Sequence, residues 1–176
     1  VESYIADLSN MNDVKILAKD IAQKHPTLDV LINNAGIFKT SNTITKDNLD
    51  VRFVVNTISP FLLTKLLMPI IKASGRIINI SSAAQSTVDL KALSGRKKIH
   101  NDMDAYAQSK LALIMWSCHM SSIHKTPIII SLNPGSMLDS KMDKEAFGVE
   151  GKDIQIGAKV ISSAALDSKF INASGK

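Results

Sequence analysis

Residues 28–36 read Leu-Asp-Val-Leu-Ile-Asn-Asn-Ala-Gly. A short apolar run that stops abruptly on two asparagines, a small residue and a glycine is the pattern of a buried parallel strand running into a tight turn. The signature returns twice. Arg76–Ile80 ends on Ser81-Ser82, and Pro127–Leu132, with three consecutive isoleucines, ends on Asn133-Pro134-Gly135. Tyr4-Ile5-Ala6 reads as the end of one more strand.

Longer segments with helical spacing lie between these runs. Asn12–Lys24 places Val14, Leu17, Ala18 and Ile21 on one face, with Asn10 as N-cap and Pro26 as the stop. Lys46–Ala73 is a long helical region with bends expected near Pro60 and Pro69, and Ser74-Gly75 reads as the turn that ends it. Met103–Ile123 is the clearest helix, and Lys152–Leu166 the last. Such alternation predicts the α/β class, a doubly wound parallel sheet with helices on both faces and right-handed crossovers. Ligands then bind beyond the carboxyl ends of the strands. The residues that follow each apolar run are therefore the ones to read for chemistry.

Bulk composition narrows the function. A chain of 176 residues, 45% hydrophobic, can bury one core, and it has neither repeats nor a linker; residues 1–176 are expected to form one domain. The formal charge of +5 is scattered apart from Arg96-Lys97-Lys98, and aromatics are 5%, so no nucleic-acid partner is expected. Cys118 is the only cysteine and lies beside Trp116 in an apolar helix, which predicts a packed thiol. His25, His100, His119 and His124 have no ligand spacing, and no metal site is expected. Ile58–Ile71 is apolar but holds Pro60, Lys65 and Pro69, so it is not read as a membrane span. VESYIADLSN lacks the pattern of a signal region, and a reducing, cytoplasmic setting is the default expectation.

Tyr106 and Lys110 stand four apart on the Met103–Ile123 helix and so project from one face. A phenol near pKa 10 exchanges protons poorly at neutral pH, and a nearby ammonium stabilises the phenolate. A plain surface pair is the competing reading. Ser81-Ser82 follows a strand at the sheet edge, where a hydroxyl can donate to a carbonyl oxygen that is gaining charge. Strand termination is the alternative there.

In order along the chain, ADLSN, LDVLINNAGIF, VRFVVNTISPFLLTKLLMP, SGRIINISSAA, AYAQSKLAL and LNPGSM resemble the motifs of the short-chain dehydrogenase/reductase family, most of all its retinol-dehydrogenase-like branch. That resemblance implies a Rossmann-like fold using NAD or NADP. It also implies hydride transfer between the cofactor and a small-molecule carbonyl or alcohol, of lipophilic character in this branch. Tyr106 matches the catalytic acid/base and Lys110 its helper, which also holds the nicotinamide ribose. Ser82 rather than Ser81 matches the carbonyl-orienting serine, and Asn56 the asparagine of a proton relay. Asn33, Asn34, Ala35 and Gly36 match the turn beside the cofactor, Pro134 and Gly135 a second such turn, and Asp7 the aspartate at the adenine ring. A turn or helix-start role for Asp7 and a packing role for Asn56 remain alternatives.

Some positions depart from the pattern. Asp139 and Ser140 stand where a threonine often supports the carboxamide, and Ser59 where glycine is common. The Gly-rich phosphate turn of the family belongs before residue 1, so the resemblance implies a fold incomplete at its N-terminus, and ASGK at the other end resembles an internal segment. The stretches Ser86–Asp104 and Ser136–Val149 are expected to line the substrate mouth. Two other functions stay open. One is a sugar-nucleotide epimerase or dehydratase, which shares the Tyr-x-x-x-Lys pair. The other is an inactive relative serving as a binding or dimerisation module. A homo-oligomer is compatible with the oxidoreductase reading and with both of these.

Overall fold

The computed structural model describes residues 1–135, 138, 142 and 151–176. Helix α1 spans Met11–Lys24. Its start is set locally: Asn10 Oδ1 accepts from the Asn12 N–H at 3.0 Å, pairing one of the donors that a first turn leaves free. Strand β1 (Leu28–Asn33) follows after Pro26. Then α2 (Val51–Phe53), a π-helical turn over Val54–Ile58, α3 (Ser59–Leu67) and a 3-10 turn (Met68–Ile70) run on without interruption. Pro60 lies in the first turn of α3, where a missing N–H costs least, directly after the π turn, and Pro69 lies in the closing 3-10 turn.

Val51–Ile70, 20 residues, is the one described stretch long and apolar enough to cross a bilayer, with mean hydropathy 1.5 in its most apolar 18-residue window. Half of it is buried inside the fold, and Phe53, Val54 and Leu67 are all but fully enclosed. Here it is a core helix.

Strand β2 is Ile71–Ile80, beginning five residues before the position the sequence suggests. Ser74-Gly75 is not a connecting turn but an irregularity inside the strand, because pairing jumps from Leu28↔Ile71 to Val30↔Arg76. Gly75 makes this possible: a Cβ there would stand 2.8 Å from the carbonyl oxygens of Asp29 and Lys72. The short helix α4 (Leu90–Leu93), the long α5 (Asp102–Ile123), β3 (Ile128–Leu132) and α6 (Gln155–Leu166) complete the order. A 3-10 turn, Ser168–Phe170, follows α6.

The strands lie in the order β1-β2-β3, all parallel, with helices on both faces as expected. On one face Ala18, Leu67 and Met120, from α1, α3 and α5, pack on Ile71, Ile77 and Ile129. On the other Ala164 and Ala165 of α6 cover Ile78, Ile80 and Ile130. Four polar residues between the sheet and its helices are paired in a ladder. Asn33 Nδ2 donates to Thr64 Oγ1 at 3.0 Å and to Asn79 Oδ1 at 2.7 Å, and Asn79 Nδ2 donates to Ser117 Oγ at 2.8 Å. This ties β1, β2, α3 and α5 together through groups that would be costly to bury alone.

Two further expectations are corrected. Tyr4–Ala6 form no strand, and Ile5 is fully exposed, since no described strand lies beside them to take their backbone bonds. Cys118 is exposed rather than packed. On α5 the inward positions are Leu113, Ser117 and Met120, which turns Cys118 outward, where its thiol meets the Gly175 carbonyl at 3.6 Å. The final residues run along the outer edge of β3, with Gly175 N–H donating to Ile129 O at 2.9 Å and Ser131 N–H to Lys176 O at 3.3 Å.

Candidate active site

A cleft of about 850 Å³ opens at the carboxyl ends of the three strands. Asn34, Ala35 and Gly36 after β1, Ser81 and Ser82 after β2, and Pro134 and Gly135 after β3 all line it, together with Tyr106 and Lys110 of α5. The strand ends converge because the sheet is parallel, so every strand delivers its following turn to the same side. Ile154, at the N-cap of α6, and Gly157 and Ile161 within it form an apolar wall, and Leu138 and Met142 also border the space.

Lys110 is 3% exposed and donates from Nζ to the Ile80 carbonyl at 2.9 Å. Burial pushes its pKa down to about 8, because desolvation penalises the ammonium. Its Nζ lies 5.6 Å from the centre of the Tyr106 ring. Phe38 meets that ring edge to face, with centroids 5.3 Å apart at 84°. Gly36 has its backbone close to both amine and amide: a Cβ there would stand 3.3 Å from Lys110 Nζ and from Asn56 Oδ1. Only bare backbone fits comfortably at that point.

The two serines differ. Ser81 is buried, its N–H donates to Leu132 O at 2.7 Å, and its hydroxyl donates to the Lys110 carbonyl at 3.2 Å. Ser82 is half-buried, and its hydroxyl accepts from the Ala84 N–H at 3.1 Å. Ser81 fastens β2 to its surroundings, whereas Ser82 keeps its hydroxyl hydrogen to offer.

Asn56 is not in the cleft wall. It sits behind it in the π turn, 1% exposed, accepting from the Ile37 N–H at 2.8 Å and donating to Ile37 O and Ser109 Oγ at 2.9 Å each. Asn33 faces the core ladder instead of the cleft. Asp7 is exposed and apart from it: Oδ1 accepts from both the N–H and the hydroxyl of Ser9 at 2.8 Å, and the backbone bond, followed by the hydroxyl, holds its carboxyl below the usual range. Asp139, Ser140 and most of the stretch Ser136–Val149 lie outside the described residues.

Sequence reading missed Phe38, Ser109 and the wall from α6, none of which carries a motif of its own. It also missed a buried ion cluster. Arg52 is 1% exposed and grips Asp50 at 2.8 Å through Nε and 2.6 Å through Nη2, while Nη1 pairs with Asp102. An arginine inside Val-Arg-Phe-Val-Val was the available signal, because a buried guanidinium demands acids. The stretch Ser86–Asp104 is fixed as well. Ser86 Oγ donates to Asp104 Oδ1 at 2.8 Å, and the Asp89 N–H donates to Gln108 Oε1 at 2.9 Å. Of that stretch, Met103 reaches the cleft.

The fold and this constellation define a nucleotide-type α/β domain with a Ser/Tyr/Lys cleft, and comparison with known proteins gives the family. The short chain dehydrogenase family model matches residues 1–150, so the chain belongs to that family. It is 36% identical to retinol dehydrogenase 13 of Homo sapiens over 119 residues, 65% of this chain and 36% of that protein. It is 32% identical to polyprenol dehydrogenase of Homo sapiens over 130 residues, 70% of this chain and 39% of that protein. Against a metagenomic short-chain oxidoreductase solved with NADP, identity is 25% and the TM-score 0.63, covering 94% of this chain and 68% of that one. The chain thus spans well under half the length of the curated relatives it matches.

Proposed function

We propose that this chain carries the catalytic half of a carbonyl/alcohol oxidoreductase using NAD or NADP, with a lipophilic aldehyde, ketone or alcohol as substrate. The observation that carries it is the convergence of Ser82, Tyr106 and Lys110 on one cleft, beside a glycine turn bare enough for close approach. Asn34, Ala35, Gly36, Pro134 and Gly135 would hold the nicotinamide end, and Asp7 the adenine end. The apolar wall of Ile154 and Ile161 supports a lipophilic substrate. When bound, the cofactor supplies or accepts a hydride at the carbonyl carbon.

In the reductive direction, Ser82 donates a hydrogen bond to the substrate oxygen and fixes its place. Tyr106 passes its phenolic proton to that oxygen as charge develops there, so an alcohol leaves and a phenolate remains. The Lys110 ammonium stabilises the phenolate from nearby, most effectively below its pKa of about 8. Asn56, tied to Ser109 behind the cleft, supports reprotonation from solvent. Oxidation reverses each step. The test is consumption of NADH and NADPH by the full-length protein with decanal and with retinal. No cofactor-dependent reduction of either aldehyde, nor oxidation of the matching alcohols, would overturn the proposal. The Asn-Asn-Ala-Gly turn at 33–36 favours this reading over an epimerase.

A further inference from the structure

We infer that Arg52 is a positioning residue for Tyr106, acting through Asp102. The inference rests on the oxidoreductase reading above. Asp50 already answers the charge of Arg52: two of its oxygens take Nε and Nη2, and it caps α2 by accepting from the Arg52 N–H at 2.9 Å. A second acid is not needed for neutrality. Yet Nη1 reaches Asp102, the first residue of α5, which is 38% exposed and could have turned to water.

What Asp102 adds is a tie between helices. Four residues beyond Arg52, Asn56 binds Ser109 Oγ at 2.9 Å, and Thr57 Oγ1 donates to Ser109 O at 2.7 Å. The segment Val51–Ile58 therefore grips α5 at two points, residue 102 and residue 109. Tyr106 lies between them. It is only four residues from the helix start, in the turn that frays first when a helix end is released. Ser86 Oγ on Asp104 and the Asp89 N–H on Gln108 hold this turn to the 86–89 segment, and the tie at residue 102 adds its register against Val51–Ile58. With both ties, the axial register of α5 against the π-turn segment is set, and with it the place of the phenol relative to Ser82. Asn101 caps the same end, accepting from the Asp104 N–H at 2.9 Å, so the helix itself survives loss of the ion pair. The hydrogen bonds that the guanidinium donates to Asp50, with the nearby acids, hold it charged at any working pH.

The test uses the full-length protein with Arg52→Met, Asp102→Ala and Asp102→Asn, assayed with decanal and the preferred cofactor. Fluorescence titration with that cofactor counts the intact sites in each sample. Turnover per cofactor-binding site should fall about 10- to 100-fold in Asp102→Ala, the scale of a roughly ångström misplacement. Cofactor affinity should stay within about twofold. Asp102→Asn should recover most of the turnover, because its Oδ1 still accepts from the guanidinium. Amide hydrogen exchange over residues 103–106 should quicken in Asp102→Ala. The inference is overturned if turnover per intact site is unchanged, or if the loss merely tracks a loss of cofactor-binding sites. If the wild type shows no cofactor-dependent turnover, the oxidoreductase reading fails on its own. Exchange then decides the tie: unaltered protection over 103–106 overturns it, and faster exchange supports it. Arg52→Met leaves Asp50 buried and unpaired; if that variant does not fold, Asp102→Ala carries the same decision.

Discussion

Asn56 and Ile37 exchange two hydrogen bonds, the Ile37 N–H donating to Oδ1 at 2.8 Å and Nδ2 donating to the Ile37 carbonyl at 2.9 Å. One side chain thereby acts as a backbone partner for the turn that follows β1, at a depth where water does not reach. Replacing it with Leu leaves both Ile37 groups and the Ser109 acceptor unanswered. The expected loss is about 2–4 kcal/mol of unfolding free energy, from the cost of stranding buried polar groups. Urea denaturation of the full-length protein measures it, and a loss below about 0.5 kcal/mol would mean that the turn has another anchor.

Tyr106→Phe keeps the ring against Phe38 and removes only the hydroxyl. Turnover should drop about 10²- to 10⁴-fold, the range for a positioned acid/base, with cofactor affinity little changed. Steady-state rates at saturating substrate, set beside cofactor titration, check both halves. Undiminished turnover would remove Tyr106 from the chemistry.

The two adjacent serines should separate cleanly. Ser81→Ala removes a buried bond to Lys110 O and should lower stability by about 1 kcal/mol with modest kinetic effect. Ser82→Ala should leave the melting temperature nearly unchanged and cut turnover by about 10²-fold or more, as for loss of a donor to a developing oxyanion. The reverse pattern in paired melting and rate measurements would reassign the roles.

Lys110 sets a pH dependence. With its pKa lowered to about 8 by burial, it is an ammonium at neutral pH and a neutral amine above. Reduction needs the ammonium beside the forming phenolate, so its rate should fall as pH rises through about 8. The stability contribution runs the other way. From about 8 up to 10.5, the unfolded chain still holds a proton that the folded chain has released, so the lysine's burial penalty is relieved as pH rises. A pH–rate profile flat between about 7 and 9.5 would rule out Lys110 as the controlling group.

Much of the architecture was legible because it is written locally. The apolar runs at 28–33 and 128–132, the cap at Asn10 and the spacing of Tyr106 and Lys110 depend on neighbours within a turn or two. Strand β2 was misplaced at its start because the irregularity at Ser74-Gly75 exists only by reference to β1. Cys118 looked packed from its apolar neighbours, but its exposure depends on which side of α5 the sheet occupies. Tyr4–Ala6 has the composition of a strand, but a strand also needs a partner.

The sequence by itself determined the class of fold, the parallel order of strand and helix, and the residue types that meet at the strand ends, since periodicity and turn chemistry act over short distances. Only the tertiary structure decided which of them meet and in what state. Burial against Ile80 lowers the Lys110 pKa, the π turn brings Asn56 to Ile37, and Arg52 finds Asp102 fifty residues along the chain. Desolvation and long-range pairing belong to the assembled interior, where the dielectric falls and each buried polar group must find its partner.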